Sequence, residues 1–125
     1  MDRHTIKKLF QQLEKQPRLP FPKTRKSLDA PCTQGVYVIR SPSNKVLHVG
    51  RSHRGRYGLW QRLRNHLQGY SSFVYEYLGG DGSKLRKRCY TFQCLEIKHP
   101  RERALLEHFA TAYHCPAHLG LGELR

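Results

Sequence analysis

Gly35-Val36-Tyr37-Val38-Ile39-Arg40, then Ser41-Pro42-Ser43-Asn44, then Lys45-Val46-Leu47-His48-Val49-Gly50 is the stretch on which the fold turns. Val36 to Ile39 is a β-prone run that is apolar on both faces, and Val46 to Val49 is another. Runs of that kind suit a sheet covered on both sides. The Ser-Pro-Ser-Asn segment between them has the turn chemistry of a four-residue hairpin loop. With Arg40 and Lys45 flanking that loop as a pair, Tyr37 falls directly opposite His48. Cross-strand partners share a face, with Cβ atoms about 4.5–5.5 Å apart.

Working outward, Leu59, Trp60, Leu63 and Leu67 mark one stripe of a helix that begins near Gly58. Arg62 and His66, four residues apart, lie together on the neighbouring flank. Phe73 to Leu78 sits between Gly69 and the Gly79-Gly80-Asp81-Gly82 punctuation, and its pattern fits a strand or a helix equally. Cys89 to Ile97, rich in Tyr, Thr, Phe and Ile, reads as a third strand. Pro100 then suits the first turn of a last helix, whose broad apolar face is made by Leu105, Leu106, Phe109, Ala110, Ala112 and Tyr113. Glu107 and Thr111 lie off that face. Upstream, Ile6, Leu9, Phe10 and Leu13 follow helical spacing and Pro17 sets the latest end of that helix. From Pro17 to Pro31 four prolines and the basic cluster Lys23 to Lys26 describe an extended connector. The expected organisation is residues 1–33 as helix plus connector, and 34–125 as a small α/β domain with a central three-stranded antiparallel sheet.

Lys and Arg total 23 against 9 Asp and Glu, a formal charge of +14 on 125 residues. So large a surplus on one small domain points to a polyanionic partner, nucleic acid above all. Basic residues recur through Arg51 to Arg64 and Lys84 to Arg88, with Tyr57, Trp60, Tyr70, Tyr75 and Tyr90 interleaved. The apolar runs fall far short of the roughly 20 residues that span a bilayer, and no secretory core follows Met1, so a soluble, cytoplasmic protein is expected. Four cysteines with no Cys-x-x-Cys pair argue against a zinc ribbon.

Gly35-Val36-Tyr37 and His48-Val49-Gly50, followed by a helix carrying Arg62 and a later one carrying Glu107, resemble the GIY-YIG nuclease family, named after its two strand motifs. That resemblance runs from about residue 34 to 119. Taken singly, Tyr37 is an ordinary strand tyrosine, and Arg62 and Glu107 ordinary charges on helices; order, spacing and element type together make the match specific. It implies an endonuclease that hydrolyses DNA phosphodiesters with Mg²⁺ or Mn²⁺ bound by Glu107. In that reading Tyr37, His48, Arg62, His66 and Glu107 are catalytic, and Gly50, Arg51, Arg54, Arg56 and His118 meet the substrate. Two positions depart from the family pattern. His48 stands where the second motif usually has Tyr, and Leu119 where an Asn often follows the Pro that ends the Glu helix, with His118 beside it as a substitute. An imidazole titrates near 6.5 and a phenol near 10, so His48 suits a base better than Tyr37 unaided.

A second function class stays open. A basic module that binds nucleic acid without cutting needs only charge and stacking aromatics, and RNA is as suitable a polyanion as DNA. Cutting additionally needs Glu107 with its cation and a competent Tyr37 or His48.

Overall fold

The computed structural model describes residues 3–23 and 27–119. Its elements are α1 (Arg3–Lys15), β1 (Leu19–Pro20), β2 (Gly35–Arg40), β3 (Val46–Arg51), α2 (Gly58–Leu67), α3 (Ser72–Tyr77), α4 (Lys84–Lys87), β4 (Thr91–Glu96) and α5 (Pro100–His114). The sheet runs β1-β4-β2-β3 with every pairing antiparallel. It therefore has four strands where three were expected. The extra one is a two-residue edge, Leu19 and Pro20 against Phe92 and Thr91; proline is tolerated there because an edge strand can forgo a donor. The ambiguous segment around Phe73 is helical, with Ser71 capping it by accepting from Val74 N. The strand expected from Cys89 begins at Thr91.

All six residues of β2 are buried, as a doubly covered strand requires. On one face Tyr37, Ile39 and Phe92 pack with Leu59, Leu63 and Leu67 of α2, Phe73 and Val74 of α3 and Leu85 of α4. On the other, Val36, Val38, Val46 and Val49 pack with Phe10 and Leu13 of α1 and Leu106 and Ala110 of α5. The N-terminal helix is pinned by polar contacts as well as apolar ones. Gln93 Nε2 donates to carbonyls at the end of α1, the shortest at Gln16 O, 2.9 Å away. Buried Arg40 donates to Gln93 Oε1 at 2.8 Å and to Glu14 Oε2 at 2.9 Å. These partners compensate a guanidinium that would otherwise be costly to bury.

The hairpin register differs from the expected one. Tyr37 pairs with Gly50, and His48 with Ile39. The loop spans five residues, 41–45, closed by Arg40 and Val46, with Asn44 in the left-handed region at φ 71°. A β-bulge between Ile39 and Arg40 then leaves Leu47 without a partner of its own. Loop and bulge each displace the pairing by one residue. The even total keeps Tyr37 and His48 on one face, now as diagonal rather than direct neighbours. No helix of the described residues is long and apolar enough to cross a membrane.

Candidate active site

Because β3 lies at the edge of the sheet, side chains from both helical layers converge around its margin. Tyr37 reaches it from beneath α2, and Gly50 is what makes room. A Cβ at position 50 would stand 2.4 Å from the phenol oxygen, closer than any real contact. Gly50 thus provides the clearance that seats Tyr37.

The phenol is wholly buried and bonded to imidazoles. Tyr37 Oη lies 2.7 Å from His66 Nε2 and 3.4 Å from His48 Nε2. His66, one turn beyond Arg62 on α2, is held from behind by Ser71 Oγ, 2.7 Å from its Nδ1. His48 Nδ1 lies 3.1 Å from His118 Nδ1, and His118 Nε2 lies 3.1 Å from Glu76 Oε2. Backbone geometry delivers His118 to this place: its N–H donates to Leu47 O at 2.9 Å, just past the left-handed Cys115 that ends α5. Phe73 stacks on His48 with ring centroids 5.1 Å apart and planes 17° apart. Tyr37, His66 and His118 are all buried, whereas His48 is part-exposed. Solvent therefore meets this cluster first at His48.

Electrostatics follow from burial. Desolvation raises the Tyr37 phenol to about 12, against the charge and hydrogen bond of Arg62, which favour the phenolate. His66 is lowered to about 3, by burial first and then by Arg62 and His118. His48 is held well below the ordinary imidazole value, again chiefly by burial, with His66, His118 and Arg62 adding to it. At neutral pH the phenol is thus protonated and both imidazoles are uncharged.

Arg62 supplies the positive charge facing them. Its Nε is buried and has no hydrogen-bond partner. Such an orphaned donor is expensive unless an acceptor from outside completes it. Glu107 approaches from α5, and its charge is felt at Tyr37. One of its oxygens accepts from Arg51 Nη1 at 2.7 Å, while its backbone carbonyl accepts from Thr111. Both carboxylate and guanidinium remain partly open to solvent. No group of three or more His, Cys, Asp or Glu among the described residues is arranged to hold a metal ion. A cation here would therefore rest on Glu107 with water and substrate oxygens, a mode that suits Mg²⁺.

Of the residues singled out from sequence, Tyr37, His48, His66, His118 and Arg62 come together around one phenol, with Glu107 and Arg51 at the rim. Arg54 and Arg56 stand apart on the exposed loop between β3 and α2. That loop is tied down by Gln34 Nε2 donating to Gly55 O at 2.8 Å and by buried Arg103 Nη2 donating to His53 O at 3.1 Å. Sequence reasoning missed Ser71, Phe73 and Glu76 as neighbours of the site. Ser71 carried the one usable signal, a helix cap five residues after His66.

No protein-family model matches the chain, and no curated protein sequence is similar to it. Among solved structures it is similar to the crystal structure of the GIY-YIG N-terminal endonuclease domain of UvrC from Thermotoga maritima, a tyrosine-to-phenylalanine point mutant bound to its catalytic divalent cation. The TM-score is 0.52 at 17% identity, over 94% of this chain and 96% of that one. An alignment spanning nearly the whole of both chains, with a helix-flanked antiparallel sheet and the two strand motifs, leads to one conclusion: the chain has the GIY-YIG endonuclease-domain fold.

Proposed function

We propose that this protein is a soluble, intracellular endonuclease that hydrolyses phosphodiester bonds in DNA with Mg²⁺ or Mn²⁺, its chemistry carried by residues 34–125. One observation carries the reading: a partly buried cation, Arg62, whose Nε is itself buried and unpartnered, faces a phenol and two uncharged imidazoles. That combination offers an anion a charge-assisted donor and offers a water molecule a base. A phosphate seated on Arg62 satisfies the orphan Nε and also cancels part of the field that keeps His48 and His66 uncharged.

His48 is the base in this reading, because it is neutral, part-exposed and only loosely engaged by Tyr37 at 3.4 Å. As the water oxygen bonds to phosphorus its proton passes to His48, and the bond from phosphorus to the leaving sugar oxygen breaks. That oxygen takes a proton from solvent. Tyr37, His66 and Ser71 form the relay that orients the imidazole, and His118 supports it from the far side. Arg62 stabilises the charge that develops on the phosphoryl oxygens. Glu107 would hold a divalent cation, whose charge would supply Lewis-acid stabilisation at the phosphate. Arg51, Arg54 and Arg56 contact flanking phosphates.

The Arg51–Glu107 ion pair favours a second reading, because it engages the carboxylate that a metal would need. A module held in that state binds nucleic acid without cutting it. Incubation with plasmid, flap and junction DNA in Mg²⁺, Mn²⁺ or EDTA separates the two readings. Nicked or linear products only with metal support the endonuclease, and intact DNA in every metal supports the binding module.

A further inference from the structure

His48 is the inner rung of a ladder of rings that reaches the protein surface. Phe73 stacks on it at 5.1 Å and 17°, and Tyr77 stacks on Phe73 at 5.6 Å and 16°. Phe73 and Tyr77 are four residues apart on α3, the spacing that brings helix side chains over one another. Phe73 is wholly buried, but Tyr77 is 45% exposed. The ladder thus ends in an open aromatic ring stacked, through Phe73, on the site's imidazole. Tyr77 also borders a positive rim: the Gly79-Gly80 turn begins two residues after it, Lys84 Nζ lies 3.8 Å from where a Cβ on Gly79 would stand, and Lys87 shares α4 with Lys84. Glu76 has its carboxylate near His118. A phosphate is repelled there, whereas a base is not.

We propose that Tyr77 is a stacking platform for one unpaired nucleobase beside the scissile phosphate, so that the site prefers DNA with a single-stranded segment at the cut. The inference rests on His48 belonging to the site that meets nucleic acid. Bases inside a duplex already cover each other's faces; only an unpaired or extruded base has a face to place on Tyr77. The phosphates of that strand fall toward Lys84 and Lys87. An opposite-sided counterpart exists in Tyr113, which is 66% exposed and stacks on Phe109 at 15°, in the apolar layer where α1 meets α5. It serves as the control.

The test uses the whole chain and a DNA hairpin ending in a three-nucleotide tail that carries 2-aminopurine, compared with a blunt hairpin, in EDTA so that no cleavage is required. The parent and Tyr77→Phe quench the fluorescence of the tail. Tyr77→Ala weakens binding to the tailed hairpin about tenfold or more and leaves the blunt one unchanged. Tyr113→Ala leaves both unchanged. Equal binding of the tail by Tyr77→Ala and the parent overturns the platform, and so does an equal loss on the blunt hairpin or in Tyr113→Ala. Failure of the parent to cleave any DNA with metal, alongside a tail-specific loss in Tyr77→Ala, counts against the endonuclease and leaves the platform standing.

Discussion

At the scale of single residues, the chemistry depends on burial as much as on residue type. His66 was legible in the sequence as a helical neighbour of Arg62 and, through the family resemblance, as a catalytic candidate; its folded state is set by Tyr37 on one side and Ser71 on the other. Because its folded pKa is depressed to about 3, the unfolded chain binds a proton near 6.5 that the native state refuses. Stability is therefore full above pH 6.5 and falls as the pH drops toward 3, by on the order of a few kcal/mol. Thermal melts between pH 8 and 4 check this, and His66→Gln flattens the profile. His48 gives a kinetic counterpart. As the proposed base it makes His48→Gln more damaging to turnover than Tyr37→Phe, with losses of about 10²–10⁴-fold expected for an acid–base group. Single-turnover rates on one substrate rank the two; a larger loss in Tyr37→Phe hands the base role to the phenol.

At the scale of elements, hydrophobic patterning located β2, β3, α2 and α5, because each buries a stripe that the residues themselves spell out. What the pattern did not contain was the pairing offset. Val36 to Ile39 and Val46 to Val49 are apolar throughout, so no alternation penalises a shifted register. The left-handed Asn44 and the bulge at Leu47 decided it instead. The face shared by Tyr37 and His48 survived because the shift was even. Glycine at 50 was read as a motif residue that meets the substrate; a further physical reason for it is the phenol behind it. Gly50→Ala drives a methyl group into Tyr37 Oη, for which the backbone of β3 offers no relief. Loss of cleavage with a lowered melting temperature is the expected outcome, measured against the parent. A neutral result removes the clearance role. The strand at Leu19 was invisible in sequence, since two residues carry no periodicity and one of them is proline.

At the scale of the whole molecule, a charge of +14 spread over several segments would make phosphate contacts the main source of affinity for the proposed nucleic-acid partner. Binding to DNA should weaken steeply with salt, and a titration from 50 to 200 mM that leaves the affinity unchanged contradicts phosphate-dominated recognition. The same charge says nothing about cutting, which in the proposed reading rests on one acidic side chain at the rim of the site. Glu107→Gln keeps the shape and a hydrogen-bond acceptor for Arg51 but removes the anion. The decisive measurement is plasmid cleavage by the parent and by Glu107→Gln in Mg²⁺ and in Mn²⁺, with DNA affinity and melting temperature followed on the same preparations. The account predicts metal-supported cleavage by the parent, a fall of several orders of magnitude in Glu107→Gln, and affinity and folding retained. Equal cleavage by the two proteins, or none by the parent with either metal, contradicts it.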